Sequence, residues 1–178
     1  NTSVDFIAND PNIQNVVFVH RYSYQLVGGT NADYPNLNGL EFNEQSVELL
    51  QNIDRAINKL SSSKQRVYVL YPVPELPDHI SKLIDQALVN KGDLKNVKGT
   101  NRTWYEKRNE AIINHFNNAN YPDNVVLINP ANYFCKGEFC FSAINQRSLY
   151  FDDNHVSNYG ASLIAEDIIN TKNSGTSV

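Results

Sequence analysis

Three short runs of mainly apolar residues constrain the fold of this chain more than any other feature. They are "NVVFV" at 15–19, "RVYVLYP" at 66–72 and "NVVLINP" at 124–130. Their β-branched and aromatic residues favour strands, and the lack of regular polar alternation indicates that both faces of each strand are buried. Such strands are typical of a parallel sheet that helices cover on both sides. The runs therefore predict an α/β fold.

Helical patterns lie between these strands. Apolar residues recur at three- and four-residue spacing in the intervening segments, and Asn43 is a candidate N-cap of the first of them. We predict helices over 44–60, 78–90, 103–117 and 157–170. The other expectations are a polar loop at 90–101, a short fourth element at 148–151 and a flexible tail at 171–178.

The composition excludes several classes of function. The 178 residues are 41% hydrophobic, which is typical of one globular domain with a sizeable core. The formal net charge is −4 and the 15 Lys and Arg residues are scattered, so the chain lacks the basic stripe of a nucleic-acid partner. The apolar runs are far too short to cross a bilayer. We expect a single domain over residues 1–178 with no nucleic-acid partner.

The two cysteines, Cys135 and Cys140, lie close together in "CKGEFC". The four residues between them include Gly137 and can turn back as a tight loop, so a local disulfide is the favoured interpretation. Two free buried cysteines in a reducing compartment are the alternative. A zinc site would need two further ligands, and the sequence has no second cysteine pair. A disulfide would indicate an oxidising compartment.

The stretch "YFDDNHVSNYGAS" at 150–162 places Asp152, Asp153 and His155 just ahead of a predicted helix. A histidine that acts as a general base needs a partner to fix its tautomer, and a carboxylate three residues earlier can fold back to do this. Two other interpretations stay open. Asp153 or Ser157 could merely cap the helix, with His155 an incidental surface residue, or the cluster could hold a metal, although no other ligands lie near it in sequence.

Several polar stretches follow the predicted strands, and in parallel sheets the ligand binds beyond the carboxyl ends of the strands. His20 and Arg21 end the first strand, and either could bind an anion or simply be solvated. The stretches expected at this rim are "HRYSY" at 20–24, "PVPELP" at 72–77 and "NPANYFC" at 129–135, with 150–162 beyond the short fourth element.

The pattern Tyr-x-Asp-x-x-His-Val-Ser-x-x-Gly-Ala at 150–161 resembles the last conserved block of SGNH hydrolases, specifically of the SGNH domains attached to membrane acyltransferase-3 proteins. Three earlier segments agree in order. "NVVFVHRYSYQL" resembles a strand ending in an Arg-Trp-like pair, and "RVYVLYPVPELP" a strand with Pro-x-Pro-Glu. "VVLINPANYFCKGEFCF" resembles the segment that leads to two cysteines, with Asn129 where an aspartate is usual. The resemblance covers residues 13–170.

This resemblance implies a three-layer α/β/α, SGNH- or flavodoxin-like parallel sheet and a Ser–His–Asp triad. His155 would be the general base and Asp152 its orienting carboxylate, and Arg21 is the candidate for contact with the oxyanion or acyl carbonyl. The implied partners are an acyl donor, a glycan acceptor and a fused membrane acyltransferase domain, with no metal or cofactor. The implied location, periplasmic or extracellular, strengthens the disulfide interpretation.

The sequence departs from the family at the nucleophile, because no serine follows a Gly-Asp pair. The family's first strand and helix are therefore expected to be missing. Ser23 is a conceivable substitute but lacks a glycine-rich elbow. We favour the C-terminal part of a cell-envelope O-acyltransferase whose serine lies outside this chain. The alternatives are a carbohydrate esterase with the same triad and a non-catalytic glycan-binding or scaffold domain.

Overall fold

The computed structural model describes residues 2–29 and 33–174, without the side chains of Thr2, Lys91 and 171–174. The described residues divide into two compact units that interleave along the chain. The parallel-sheet unit comprises residues 2–28, 39–72 and 109–129, and the antiparallel-sheet unit comprises residue 29 and residues 33–38, 73–108 and 130–174. Neither unit is a continuous stretch of sequence.

Three parallel strands form the sheet of the parallel-sheet unit, in the order β1–β2–β4. Its elements are α1 (Thr2–Asn9), β1 (Asn15–Phe18), α2 (Tyr22–Leu26), α3 (Glu44–Ser61), β2 (Arg66–Leu70), α6 (Glu110–Asn118) and β4 (Val125–Ile128). Val17 is in register with Tyr68, and Leu70 with Ile128, so the three carboxyl ends lie at one edge. The predicted α/β class, with a parallel sheet built from these three runs, is confirmed. The predicted burial of both strand faces holds for β2 but is wrong for β1, which lies at an edge of this sheet and leaves Val17 48% exposed.

Helix α3 begins where the sequence predicts, and its cap explains why. The Asn43 side chain accepts hydrogen bonds from the backbone N–H groups of Gln45 and Ser46, while the Ser46 hydroxyl accepts from the N–H of Asn43. This reciprocal cap satisfies donors that the first turn would otherwise leave unpaired. The buried face of the helix carries Ile53 and Ile57 into the core of the unit.

A small antiparallel sheet, which the sequence analysis does not predict, organises the other unit. The unit contains α4 (Ile80–Lys91), β3 (Asn96–Asn101), α5 (Arg102–Arg108), α7 (Ala131–Phe134), β5 (Cys135–Lys136), β6 (Phe139–Ile144), β7 (Arg147–Ser148) and α8 (Asn158–Ser174). β6 pairs with β3, β5 and β7, all antiparallel.

The prediction of a loop over residues 90–101 is wrong for the second half of that segment, which forms β3. Val97 and Thr100 are buried while the residues beside them are more exposed, so the strand is half-buried despite its polar composition. Gly99 is required by packing, since a Cβ there would lie 2.7 Å from the Leu76 side chain and 3.0 Å from the Cys140 carbonyl oxygen. A glycine in a strand often marks such a close approach.

Three other boundaries differ from prediction. The helix predicted over 103–117 is interrupted at Asn109, whose backbone is non-helical, so α5 and α6 are separate. The short element at 148–151 is reduced to β7 at Arg147–Ser148. Helix α8 runs to Ser174, beyond the predicted end at 170, and residues 175–178, the rest of the predicted tail, lie outside the described residues.

Candidate active site

The loop that carries Asp152 and His155 is closed at its base by backbone pairing. The N–H of Phe151 donates to the carbonyl of His155 at 2.8 Å, and the N–H of Ser157 donates to the carbonyl of Leu149 at 2.9 Å. Tyr150, at the root of the loop, is buried, and its hydroxyl donates to the carbonyl of Pro74. These contacts hold the loop as a defined turn.

Asp152 and His155 form a hydrogen-bonded pair within this turn. The Nδ1 atom of His155 lies 2.7 Å from Oδ2 of Asp152. The other carboxylate oxygen, Oδ1, accepts from the backbone N–H of His155 at 2.7 Å and from that of Asn154 at 2.8 Å. Both oxygens of Asp152 are thus engaged, which fixes the orientation of the carboxylate toward the imidazole.

The charge state of Asp152 follows from these contacts. Partial burial raises the pKa of the Asp152 carboxyl, but the hydrogen bonds from the N–H groups of His155 and Asn154 and from the His155 ring outweigh it and lower the pKa to about 2. Asp152 is therefore ionised and can only accept hydrogen bonds at neutral pH. In the neutral imidazole, Nδ1 must then carry the proton and Nε2 the lone pair.

The Nε2 atom of His155 makes no hydrogen bond to any described residue. The His155 side chain is 76% exposed, whereas that of Asp152 is only 23% exposed. His155 also lines an open cavity of about 680 Å³ together with Phe151, Arg147 and Tyr159. The pair thus presents an oriented, solvent-accessible base to a space large enough for a sugar unit.

Two serines line the same cavity, and both hydroxyls are engaged elsewhere. The Ser148 hydroxyl donates to the carbonyl of Tyr150 at 2.7 Å. The Ser157 hydroxyl donates to the carbonyl of Ser148 at 2.7 Å and accepts from the N–H of Gly160 at 3.0 Å. Ser157 is therefore an N-terminal cap of α8, and neither serine is oriented as a nucleophile by His155.

Arg21 and Ser23 both belong to the parallel-sheet unit. Arg21 is the residue before α2, and its guanidinium carbon lies 5.1 Å from the centroid of the Tyr24 ring. Ser23 is only 5% exposed, and its hydroxyl donates to the side-chain oxygen of Asn109. The Ser23 hydroxyl is thus buried and paired.

A disulfide joins Cys135 and Cys140, which are cross-strand partners in the β5–β6 hairpin. Gly137 has a φ of 60°, which permits the tight turn between the two strands. Over residues 2–29 and 33–174, no three His, Cys, Asp or Glu side chains are grouped to hold a metal ion. No helix within those residues is long and apolar enough to cross a membrane.

Gly160 sets the position of α8 against the strand that leads into the Asp152 loop. A Cβ at this position would collide with the carbonyl oxygen of Leu149 and would lie 3.2 Å from the Phe134 ring. Because backbone cannot move aside cheaply, we expect Gly160→Ala to lower the free energy of unfolding by about 1–3 kcal/mol. Urea denaturation measures this. Ala161→Gly, one residue along on the exposed face, is the control and should cost about 1 kcal/mol or less; equal losses would contradict the packing argument.

The fold and the site together define the class of this protein. It is an α/β protein with a parallel sheet and an Asp–His pair in the turn before its last helix. The family model for the SGNH domain that is fused to AT3 domains matches residues 1–170. The chain therefore belongs to this family of SGNH domains.

One solved structure provides a further comparison. It is the periplasmic domain of the lipopolysaccharide acetyltransferase of Salmonella ser. Paratyphi A, which is 19% identical and aligns with a TM-score of 0.48. The alignment covers 77% of this chain and 52% of that one, so the chain spans about half the length of the matched domain. No curated protein sequence matches the chain.

Proposed function

We propose that residues 1–178 are the C-terminal SGNH-like part of a cell-envelope O-acyltransferase. It would pass an acyl group, such as acetyl, from a serine ester to a glycan hydroxyl. The observation that supports this proposal is the Asp152–His155 pair, with Nδ1 bonded to an ionised carboxylate and Nε2 open to solvent. This is the arrangement that a general base of an acyl-transfer triad requires.

In the proposed transfer step, the glycan hydroxyl gives its proton to Nε2 of His155 as its oxygen attacks the acyl carbonyl. The tetrahedral intermediate then loses the serine oxygen, which takes the proton back from Nε2. One ester bond forms and one breaks, with no net gain or loss of protons. Asp152 remains ionised throughout and stabilises the transient imidazolium.

The cavity beside His155 is suited to a sugar acceptor. The Phe151 side chain lines the cavity and is exposed, and the Arg147 guanidinium carbon lies 4.0 Å from the centroid of the Tyr159 ring. Aromatic faces offer apolar contact for the C–H faces of sugar rings, and the Arg147 guanidinium offers hydrogen-bond donors for hydroxyl or carboxyl oxygens. These features support a glycan as the acceptor.

The serine nucleophile in this proposal lies outside residues 1–178. No serine in the sequence follows Gly-Asp, and no described hydroxyl is bonded to Nε2 of His155. The oxyanion contact is assigned to Arg21 as a further proposal. Membership of a family fused to AT3 domains supports a membrane acyltransferase partner, and the Cys135–Cys140 disulfide supports a periplasmic or extracellular location.

The proposal is tested with the complete protein, including whatever precedes residue 1, and with residues 1–178 alone. Each is incubated with an aryl acetate, with and without a saturating cell-surface glycan, and both free acetate and acetylated glycan are quantified. We expect the complete protein to acetylate the glycan and residues 1–178 alone to be inactive.

Other results would replace this proposal with a specific alternative. Release of acetate only to water, even at saturating glycan, would indicate a carbohydrate esterase. Inactivity of a folded complete protein would indicate a non-catalytic glycan-binding or scaffold domain. Activity of residues 1–178 alone that is lost in His155→Ala would require a nucleophile within the chain, and Ser23 would be the first residue to replace.

A further inference from the structure

A second cavity, in the parallel-sheet unit, lies between helices α3 and α6. Its volume is about 590 Å³, and it is lined along α3 by residues 50, 54 and 58 and along α6 by residues 111, 114, 115 and 118, with residues 119–121 closing one end. The four-residue spacing on both helices places these side chains on facing stripes. We call this cavity the α3–α6 groove. None of its lining residues belongs to the Asp152 loop.

A hydrogen-bonded polar cluster lines the α3–α6 groove. Oδ1 of Asp54 accepts from Nε2 of His115 at 2.9 Å and from the hydroxyl of Tyr121 at 2.5 Å. All three side chains are partly buried, with Asp54 32% and His115 22% exposed. Burial and the bond to Asp54 raise the pKa of Tyr121, so its hydroxyl stays a neutral donor. The second carboxylate oxygen of Asp54 makes no hydrogen bond to a described residue and remains an acceptor.

Four exposed asparagines line the α3–α6 groove: Asn58, Asn114, Asn118 and Asn120. The Asn118 amide donates to the carbonyl of Asn114, whereas the other three amide groups make no hydrogen bond to a described residue. Each free amide offers two donors and an acceptor. Adjacent sugar hydroxyls, which both donate and accept, match this set of groups.

The composition of the lining disfavours other ligand classes. No Lys or Arg lines the α3–α6 groove, which disfavours an anionic ligand, and a single carboxylate with no second acidic neighbour disfavours a metal ion. The amide-rich walls disfavour an apolar peptide. No Ser, Thr or Cys is present, so the Asp54–His115 pair has no nucleophile to activate. Two alanines and the Tyr121 ring supply small apolar surface for sugar C–H groups.

We propose that the α3–α6 groove is a binding site for a neutral oligosaccharide, separate from the site of acyl transfer. The asparagine amides and the free oxygen of Asp54 bond the sugar hydroxyls, while Tyr121 and the alanines contact the ring. The inference goes beyond the proposed acyltransferase function and does not depend on it, because it requires neither His155 nor a nucleophile.

The test is an NMR titration of the ¹⁵N-labelled chain with maltohexaose, hexa-N-acetylchitohexaose and mannohexaose, and with a galacturonic acid hexamer as the anionic comparison. We expect at least one neutral hexasaccharide to shift the side-chain NH₂ signals of the groove asparagines and the backbone signals of 111–121. Asn58→Ala should weaken this binding roughly five- to tenfold, as loss of one or two hydrogen bonds would. Asn114→Ala/Asn118→Ala should weaken it at least about tenfold.

Asn90→Ala is the matched control, because Asn90 is an exposed helical asparagine outside the groove. It should leave the affinity read from the groove signals unchanged. Because the titration follows the groove asparagines and residues 111–121, its outcome is separate from that of the acyl-transfer assay. Asn58 is exposed and makes no side-chain hydrogen bond to a described residue, so we expect Asn58→Ala to keep the fold, and the backbone spectrum of the free variant checks this. The proposal is overturned if no neutral hexasaccharide binds, if only the anionic hexamer binds, or if affinity survives both groove variants.

Discussion

Replacing His155 with alanine in the complete protein is expected to lower kcat for acyl transfer by at least about a thousandfold while leaving the fold intact. The side chain is mostly exposed and bonds only to Asp152 among the described residues, so its removal costs little stability. Without Nε2, no group accepts the proton of the attacking hydroxyl. Initial rates of glycan acetylation and the melting temperature, measured together, check both halves of this expectation.

Asp152→Asn is the companion variant and should lower kcat by roughly a thousandfold or more while retaining the imidazole. An asparagine amide that donates to Nδ1 would hold the ring in the wrong tautomer. His79→Ala is the control, since His79 is an exposed histidine that caps α4 in the same unit; its rate should match that of the unaltered protein. Undiminished turnover in His155→Ala would remove His155 from the mechanism.

The pH profile offers an independent check on the same pair. Because the pKa of Asp152 is about 2 in the folded protein, its ionisation should add no limb to kcat/KM above roughly pH 4. A limb above that pH which disappears in Asp152→Asn would contradict the assigned charge state.

The sequence predicted contacts between residues that lie close together along the chain. The cap at Asn43 and the Asp152–His155 hydrogen bond each join residues two or three positions apart, so spacing and residue type indicated these contacts. For Asp152 and His155, spacing alone also allowed a helix cap or a metal site, and the family resemblance was needed to favour the pair. The three apolar runs likewise predicted the strands of the parallel sheet. Their apolar composition predicted burial correctly for β2 but not for β1, where Val17 is 48% exposed.

Features that depend on distant pairing were not predictable in this way. β3 has the composition of a loop and is a strand only because β6, some forty residues later, pairs with it. The Asp54–His115 contact joins positions 61 residues apart, and neither residue stands out in its own helix. The residues of the α3–α6 groove do form a sequence pattern, polar residues at four-residue spacing beside apolar ones. Any solvent-exposed helix face shows the same pattern, so it could not predict the groove.

The largest stability effect is expected at Glu75, the glutamate of "PVPELP". Glu75 is 7% exposed and accepts from Nε of Arg108, which is 2% exposed. Glu75→Ala would leave the guanidinium charge buried without its counter-ion. We expect the free energy of unfolding to fall by about 3–5 kcal/mol. Trp104, the single tryptophan, lies 5.6 Å from the Arg108 guanidinium carbon, so its fluorescence reports urea unfolding at this place.

Glu106→Ala is the matched control. Glu106 pairs with Arg102 on the surface of α5, the helix that also carries Arg108, and both side chains are about half exposed. An exposed pair at this spacing contributes about 0.5 kcal/mol or less. The contrast between the two variants isolates burial as the cause, since both remove a glutamate from an arginine. Glu75→Leu/Arg108→Met, which removes both charges, should recover most of the loss. A double variant as unstable as Glu75→Ala would show that the ion pair itself, rather than the stranded charge, stabilises this unit.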